Sequence, residues 1–285
     1  MVEKRQPPIA VLPYRPSADA PFGIEVMSFA GLRSMSGTAR RAPTRPQFHV
    51  LAVVEAGFGH LTVDFVRRDL GPGSVVWIRP GQVHELDGID SVGGALILFQ
   101  PDLLPLGTIA QAAADDVFGA TGWLVPEGRS GLALEHLRSE YRDGAGDRPA
   151  ARVEVLRQLL AVLILKLLPG GAAPAAGNDV FARFRAAVER DFATCRTVAE
   201  FGKRLGYAPR TLSRATLAAV GAGAKEFIDG RVVLEAKRLL AHADVSAAGC
   251  ARQLGFDDAA NFSKFFQQHA GVSPGAFRAA MREAE

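Results

Sequence analysis

The chain has 285 residues, enough for two domains with separate cores, and its 48% hydrophobic and 22% charged content excludes global disorder. Its net charge of +3 is unevenly placed, with 16 Lys plus Arg against 12 Asp plus Glu from Asn178 onward and 17 against 18 before it, so the positive excess falls in the C-terminal part. Cys195 and Cys250 are its only cysteines and form no CxxC and have no His cluster nearby, the longest apolar run is Leu159 to Leu165, and Lys4, Arg5, Pro7 and Pro8 stand where a signal peptide would have its apolar core. This excludes a disulfide scaffold, a zinc ribbon and a membrane span, and makes the cytoplasm the expected compartment.

From about residue 20 to 100 the pattern is strand and turn. Phe48 to Val54, Gly59 to Val66, Ser74 to Ile78 and Ala95 to Phe99 are short β-branched or aromatic runs. Gly57, Gly71-Pro72-Gly73, Pro80-Gly81 and Gly93-Gly94 punctuate them, which predicts a compact antiparallel barrel or sandwich.

Beyond Pro101 the period becomes helical, predicting helices over 131–142 and 151–168. In the second, Val153, Leu156, Leu160, Leu163 and Leu167 follow the spacing of a coiled-coil seam, and Val155, Leu159, Val162 and Leu165 add another apolar face. A helix apolar on most sides needs cover on most sides. A second subunit on the seam is the preferred cover, and an interior place in the monomer is the alternative. Residues 169–177, PGGAAPAAG, cannot hold a helix or bury a core and mark a linker. The expected domains are therefore 1–170 and 178–285.

The C-terminal domain carries a repeat. Ala199, Leu205, Gly206, Tyr207, Leu212, Ser213, Arg214 and Gly221 recur as Ala248, Leu254, Gly255, Phe256, Phe262, Ser263, Lys264 and Gly271. The offset is 49 up to the Gly-aromatic pair and 50 after it, so the second copy has one extra residue in its turn. Each copy has the layout of a helix-turn-helix. Thr197 with Glu200 forms a capping box, Pro209 suits a first helical position, and Ser273-Pro274 starts a last helix. On the third helix Leu212, Ala215, Thr216 and Ala219 share the inner face, and Arg210, Ser213, Arg214 and Leu217 the outer. Arg210 and Arg214 suit the major-groove edge of guanine. In the second copy Phe262, Phe265 and Phe266 form the buried face. Ala259 and Ala260 suit thymine methyls, and Asn261 and Lys264 suit phosphate. A helix of about 17 residues between the copies, Ala224 to Leu240, is a strut of about 25 Å, against about 34 Å for one duplex turn.

Gly255-Phe256, Asn261 to Phe266, and Gly271-Val272-Ser273-Pro274 before Phe277-Arg278 resemble the C-terminal signature of AraC/XylS-family transcription regulators over about a hundred residues. The resemblance implies that both units dock in successive major grooves of double-stranded DNA. Its base-facing positions carry over to Arg210, Thr211, Ser213 and Arg214, then to Ala259, Ala260, Asn261, Ser263 and Lys264. Ala208 in place of a Ser or Thr cap, and Thr216 in place of a large apolar residue, depart from the pattern and imply a loosened first unit.

Phe48-His49-Val50 through Gly71-Pro72-Gly73-Ser74 to Ile78 to His84 resembles the cupin-like barrel found ahead of such DNA-binding parts. The implied protein is a two-domain α+β chain: an antiparallel barrel with trailing helices, then an all-α domain with two helix-turn-helix units. It also implies an activator that binds a small-molecule effector and forms a homodimer, with RNA polymerase a further partner. Arg33, His49, Trp77, Arg79 and His84 are the effector-pocket candidates, and His84 reads equally as a turn residue. A metal-binding cupin needs converging His and carboxylate ligands; here Val50 and Leu51 follow His49, His60 stands alone, and Glu85 next to His84 points to the other strand face. No catalytic residue, cofactor or metal is therefore expected. Two rival readings remain: a regulator without effector whose barrel is a dimerisation scaffold, and a metal-dependent cupin enzyme fused to a DNA anchor.

Overall fold

The computed structural model describes residues 10–14, 23–36, 43–112, 114, 120–126, 128–143, 149–168, 179–242 and 245–283. They fall into two compact units, one within 9–174 and the other within 175–285. The expected linker, 169–177, lies outside the described residues.

The first unit runs β1 (Ala10–Leu12), β2 (Ile24–Ser28), α1 (Phe29–Ser36), β3 (Thr44–Pro46), β4 (His49–Ala56), β5 (Gly59–Val63) and β6 (Val66–Leu70). It continues with β7 (Ser74–Ile78), β8 (His84–Gly88), β9 (Gly93–Phe99), α2 (Leu106–Ala112), β10 (Gly122–Leu124), α3 (Gly131–Arg142) and α4 (Pro149–Leu167). The strands form two five-stranded sheets, ordered β1-β3-β8-β5-β6 and β10-β7-β4-β9-β2. Pairing is antiparallel except between β1 and β3, which run parallel, a departure from the all-antiparallel expectation. The strand expected over Gly59 to Val66 is broken at Asp64 and Phe65, which adopt φ of +46° and +69° and fold the segment into a hairpin. Non-glycine residues resist that conformation by about 1–2 kcal/mol each. The Asp64 carboxylate offsets part of this by accepting from Gln82 Nε2 at 2.9 Å and from the Val83 N–H at 3.0 Å.

Alternation along β4 separates two cores. Val50, Ala52 and Val54 face between the sheets with Leu61, Val63, Val76, Ile78 and Leu96. Leu51 and Val53 face outward, against Leu134 and Leu137 of α3 and the buried stripe of α4. Burial on both faces explains why this strand reads as an unbroken apolar run.

The seam on α4 receives a correction. Leu156, Leu160, Leu163 and Leu167 are at most 1% exposed, packed into their own domain's outer core, and Val153 is half-buried. Spacing alone does not distinguish a helix laid on a sheet from one laid on a partner helix, since both bury one stripe. The apolar face left in solvent is the other one, with Val155, Val162 and Leu165 at 41%, 45% and 38% exposure.

The second unit is all-helical: α5 (Asp179–Asp191), α6 (Val198–Leu205), α7 (Pro209–Val220), α8 (Ala224–His242), α9 (Ala247–Gln253), α10 (Ala259–Ala270) and α11 (Pro274–Glu283). Two apolar clusters flank α8. Phe184, Phe201 and Leu212 meet its first half at Phe227 and Ile228, and Leu254, Phe262 and Phe266 meet its second half at Ala236 and Leu240. The 19 residues of α8 span about 28 Å at 1.5 Å per residue. Among the described residues no helix is long and apolar enough to cross a membrane.

Candidate nucleic-acid interface

The first helix-turn-helix is fixed by local chemistry. Thr197 Oγ1 accepts the Glu200 N–H at 3.2 Å while the Glu200 carboxylate accepts the Thr197 N–H at 3.1 Å, closing the capping box before α6. Gly206 ends the helix at φ +73°, and Pro209 opens α7 after Ala208, which supplies no side-chain cap. The small residue that lets the helices cross is Gly202. A Cβ there would lie 2.6 Å from the Tyr207 carbonyl oxygen, and the Tyr207 N–H donates to the Gly202 carbonyl at 2.9 Å. Ala199, the small residue of the repeat, is exposed, and Ala248 likewise. In the second copy the buried equivalent is Ala251, whose carbonyl accepts the Phe256 N–H at 2.8 Å. The signal was available five residues before each aromatic. Thr216 is fully buried, and its hydroxyl donates to the Leu212 carbonyl at 2.8 Å, which satisfies it in a place suited to an apolar side chain.

Before α9, Ser246 Oγ accepts from the Gly249 N–H at 3.1 Å. Before α10, Asp258 accepts from the Asn261 N–H at 2.7 Å and from Asn261 Nδ2 at 2.9 Å. That second bond engages the amide read from sequence as a phosphate contact. Ser263 also turns inward, donating to the Ala259 carbonyl at 2.7 Å.

Across α7, Leu212, Ala215 and Thr216 are buried, Arg210, Arg214 and Leu217 are exposed, and Thr211 and Ser213 are half-buried. Ala219, expected on the inner face, is exposed. On α10, Phe262 and Phe266 are buried, Phe265 is half-buried, and Ala260, Asn261 and Lys264 are exposed, with Ala259 at the margin. Arg210, Arg214 and Lys264 make no hydrogen bond or ion pair among the described residues, so three cations on α7 and α10 remain available to an anionic partner.

Within the second unit, a clamp with no counterpart in the repeat motif joins the two helix-turn-helix copies. Arg196, between α5 and α6, lays its guanidinium over the Phe256 ring at 3.5 Å from the centroid and donates to the Leu254 carbonyl. Gly255, at φ +68°, presses against the same loop, because a Cβ there would lie 2.0 Å from the Ala193 carbonyl oxygen. Arg231 on α8 adds a second tie. It donates to Glu189 of α5 at 2.7 and 2.9 Å and to Glu235 at 3.1 Å, and sits over Phe192. A third runs from α8 to α10, where Asp229 pairs with Lys225 and lies 3.4 Å from His269 Nε2. Arg196 falls outside the repeat motif, and its counterpart 49 positions on is Val245, so the repeat gave no signal for it. Cys195 and Cys250 are buried free thiols.

In the first unit, His49, Trp77 and Arg79 come together, but on the helix side of their sheet rather than between the sheets. Trp77 Nε1 donates to His49 Nδ1 at 3.2 Å, His49 stacks on Phe99 with centroids 4.7 Å apart, and Arg79 lies 4.9 Å over Trp77 and donates to the Ala120 carbonyl at 3.3 Å. Arg33 is engaged elsewhere, donating to the Ile89 and Val92 carbonyls at 3.0 and 2.7 Å. His84 opens β8 rather than a turn. It shares the inter-sheet face with Val63, with Nε2 3.4 Å from Thr44 Oγ1 and Nδ1 buried without a partner. These positions do not form the single interior pocket expected from sequence. Among the described residues no group of three or more His, Cys, Asp or Glu is placed to hold a metal.

Both imidazoles are held neutral. Burial, aided by the positive charge of Arg79, pushes His49 down to about 3; burial pushes His84 down to about 4 against the opposing pull of Asp64. Folded values below the unfolded value of about 6.5 mean that unfolding takes up protons, so this stability is complete above about pH 6.5 and is lost as pH falls toward 4 and then 3. In that window each histidine removes up to about 1.4 kcal/mol per pH unit. Trp77 and Trp123, the only two tryptophans, both report on this unit, so urea midpoints by fluorescence should fall from pH 7 to pH 5. A level midpoint would contradict the burial of neutral imidazoles.

Two capped helix-turn-helix units on a shared strut, with free cations on the second helix of each, define a DNA-binding protein. Comparison with known proteins agrees. Residues 201–280 match the family described as a helix-turn-helix domain, and residues 27–160 match the AraC-like ligand binding domain. The HTH-type transcriptional activator RhaS of Klebsiella pneumoniae (strain 342) is 25% identical over 236 residues, covering 80% of this chain and 84% of that protein. RhaS of Citrobacter koseri is 27% identical over 240 residues with the same coverage. Among solved structures, ToxT from Vibrio cholerae aligns over 90% of this chain and 97% of its own with a TM-score of 0.44 at 13% identity. The chain belongs to the AraC family of helix-turn-helix transcription regulators, with an AraC-like ligand-binding domain ahead of its DNA-binding domain.

Proposed function

We propose that this protein is a homodimeric transcription activator that answers to a small-molecule effector held by its N-terminal domain, residues 1–170, and grips promoter DNA through residues 178–285. The observation that carries the DNA reading is the pair of exposed cationic helix faces on α7 and α10, joined through the Arg196–Phe256 clamp. Arg210 and Arg214, with Thr211 and Ser213, act as the base-reading set. Lys264, with Ala259, Ala260, Asn261 and Ser263, supplies affinity and register. Binding-site selection followed by anisotropy titration tests the division of labour. Arg210→Ala or Arg214→Ala should each lose about 1–3 kcal/mol of discrimination at one base pair. Lys264→Ala should weaken all sequences alike and lower the salt slope by about one. Uniform weakening by all three variants would reassign the arginines to phosphate.

Activation is supported by the relatives named as activators, and in vitro transcription with RNA polymerase on a selected site tests it. Dimerisation is assigned to the outward face of α4, where Val155, Val162 and Leu165 remain exposed after the Leu156 to Leu167 stripe is buried. A second reading, regulation without effector, is favoured by one observation: the space between the two sheets is occupied by Val50, Val54, Leu61, Val76, Ile78 and neighbouring apolar side chains. A screen in which no small molecule alters DNA affinity would establish it.

A further inference from the structure

With the inter-sheet space taken up by apolar side chains, an open groove of about 290 Å³ lies where the two sheets fail to join, between edge strand β6 of one and edge strand β10 of the other. Arg68 pairs opposite Leu61, which is buried between the sheets, so Arg68 leaves β6 on the inward face. Its stem crosses toward β10, where a Cβ at Gly122 would lie 3.8 Å from Arg68 Cδ. Arg68 Nε is buried without a partner, and the guanidinium makes no ion pair among the described residues. Its neighbours Arg67 and Asp69 pair with each other at 3.5 Å, leaving one uncompensated cation in the groove. Val76 and the exposed Leu124 give the groove an apolar side, and Ser74 and the Arg67–Asp69 pair complete its lining.

We propose that this seam binds a small organic monocarboxylate, its carboxylate on the Arg68 guanidinium and its apolar body against Val76 and Leu124. A planar guanidinium fork matches a carboxylate in geometry and charge, and the volume falls just under the range of about 300–1,000 Å³ for small-molecule sites, which suits a small ligand. A peptide strand is a poorer occupant, because β10 offers only three residues of edge for main-chain bonding. The proposal rests on the reading of the protein as effector-responsive, and β10 supplies the link. Gly122 pairs with Val76 on the groove side. Trp123 pairs with Val75 on the helix side and donates Nε1–H to the carbonyl of Leu167, the last residue of α4, at 2.6 Å. A ligand that moves β10 therefore acts on the end of the helix from which the chain continues to the DNA-binding domain.

The test is calorimetric titration of the full chain with a panel of monocarboxylates of about six to ten carbons, cyclohexanecarboxylate among them, each paired with its primary amide. DNA anisotropy is measured in parallel. The expected result is one saturable site for at least one acid, with binding weakened about tenfold or more in its amide and in Arg68→Met and lost in Gly122→Leu, which fills the groove. Arg67→Met, which leaves the Asp69 carboxylate unpaired at the groove, should weaken binding less than Arg68→Met, and Trp123→Phe should keep binding while losing the ligand's effect on DNA affinity. Failure of every acid to bind, or binding that survives both Arg68→Met and Gly122→Leu, overturns the seam. An uncharged compound that shifts DNA affinity equally in wild type and Arg68→Met overturns the seam and leaves the effector reading standing. Acid binding at Arg68 with no change in DNA affinity supports the site and removes the effector reading.

Discussion

Replacing Gly255 with alanine is expected to push the second helix-turn-helix unit off the first, while the same change at Gly206 is expected to be mild. The two glycines are equivalents in the repeat and share a left-handed backbone, at φ +68° and +73°. Alanine in that conformation costs about 1–2 kcal/mol at either place. Only at Gly255 does the new Cβ meet backbone, 2.0 Å from the Ala193 carbonyl oxygen; at Gly206 nothing lies within 4 Å. Relief requires moving a loop or the unit itself, so Gly255→Ala should lose about 3 kcal/mol or more of stability. Arg196→Ala should fall between the two. It removes a stacked guanidinium worth about 0.5–2 kcal/mol and a charged hydrogen bond to Leu254 worth about 1.5–3 kcal/mol, less the burial that holds this guanidinium's pKa below its usual value. Far-UV denaturation and anisotropy on a full and a halved DNA site check this. Gly255→Ala and Arg196→Ala should lose affinity for the full site and keep most of it for the site read by α7 alone. Equal behaviour of Gly255→Ala and Gly206→Ala would show that the clamp does not set the spacing.

Aspartate at Leu160 and aspartate at Val162, two residues apart on α4, are expected to give opposite phenotypes. Leu160 is fully buried in the outer core of the first unit, where an unpaired carboxylate costs several kcal/mol on top of about 2–5 kcal/mol of lost apolar packing. Leu160→Asp should therefore fail to fold or should melt far below wild type. Val162 is 45% exposed, so Val162→Asp should leave the melting profile of the subunit near wild type and convert a dimer to a monomer in analytical ultracentrifugation. A folded, dimeric Val162→Asp protein would place the interface elsewhere, and a folded Leu160→Asp protein would contradict the core assignment.

What could be read from the chain was whatever local physics dictates. The capping box at Thr197 and Glu200, Pro209 at the start of α7, Ser273-Pro274 before α11, and the helices expected over 131–142 and 151–168, the second of which runs Pro149–Leu167, each depend on contacts a few residues apart. The turn at Asp64-Phe65 escaped because its support comes from Gln82 and Val83, nearly twenty positions on. His49 and Trp77 were read as barrel-interior groups because strand alternation gives two faces without saying which one the helices cover.

By itself the sequence determined the passage from a strand-rich part to a helical one, the duplicated helix-turn-helix and the cations on its exposed faces, since periodicity, caps and turn residues act over a few positions. Tertiary structure alone decided which apolar face of α4 is buried, which of two equivalent glycines is buttressed, and that Arg196 bridges the repeats. Those outcomes depend on side chains brought together from about sixty positions apart, such as Arg196 and Phe256, and on core packing that local pattern leaves undetermined.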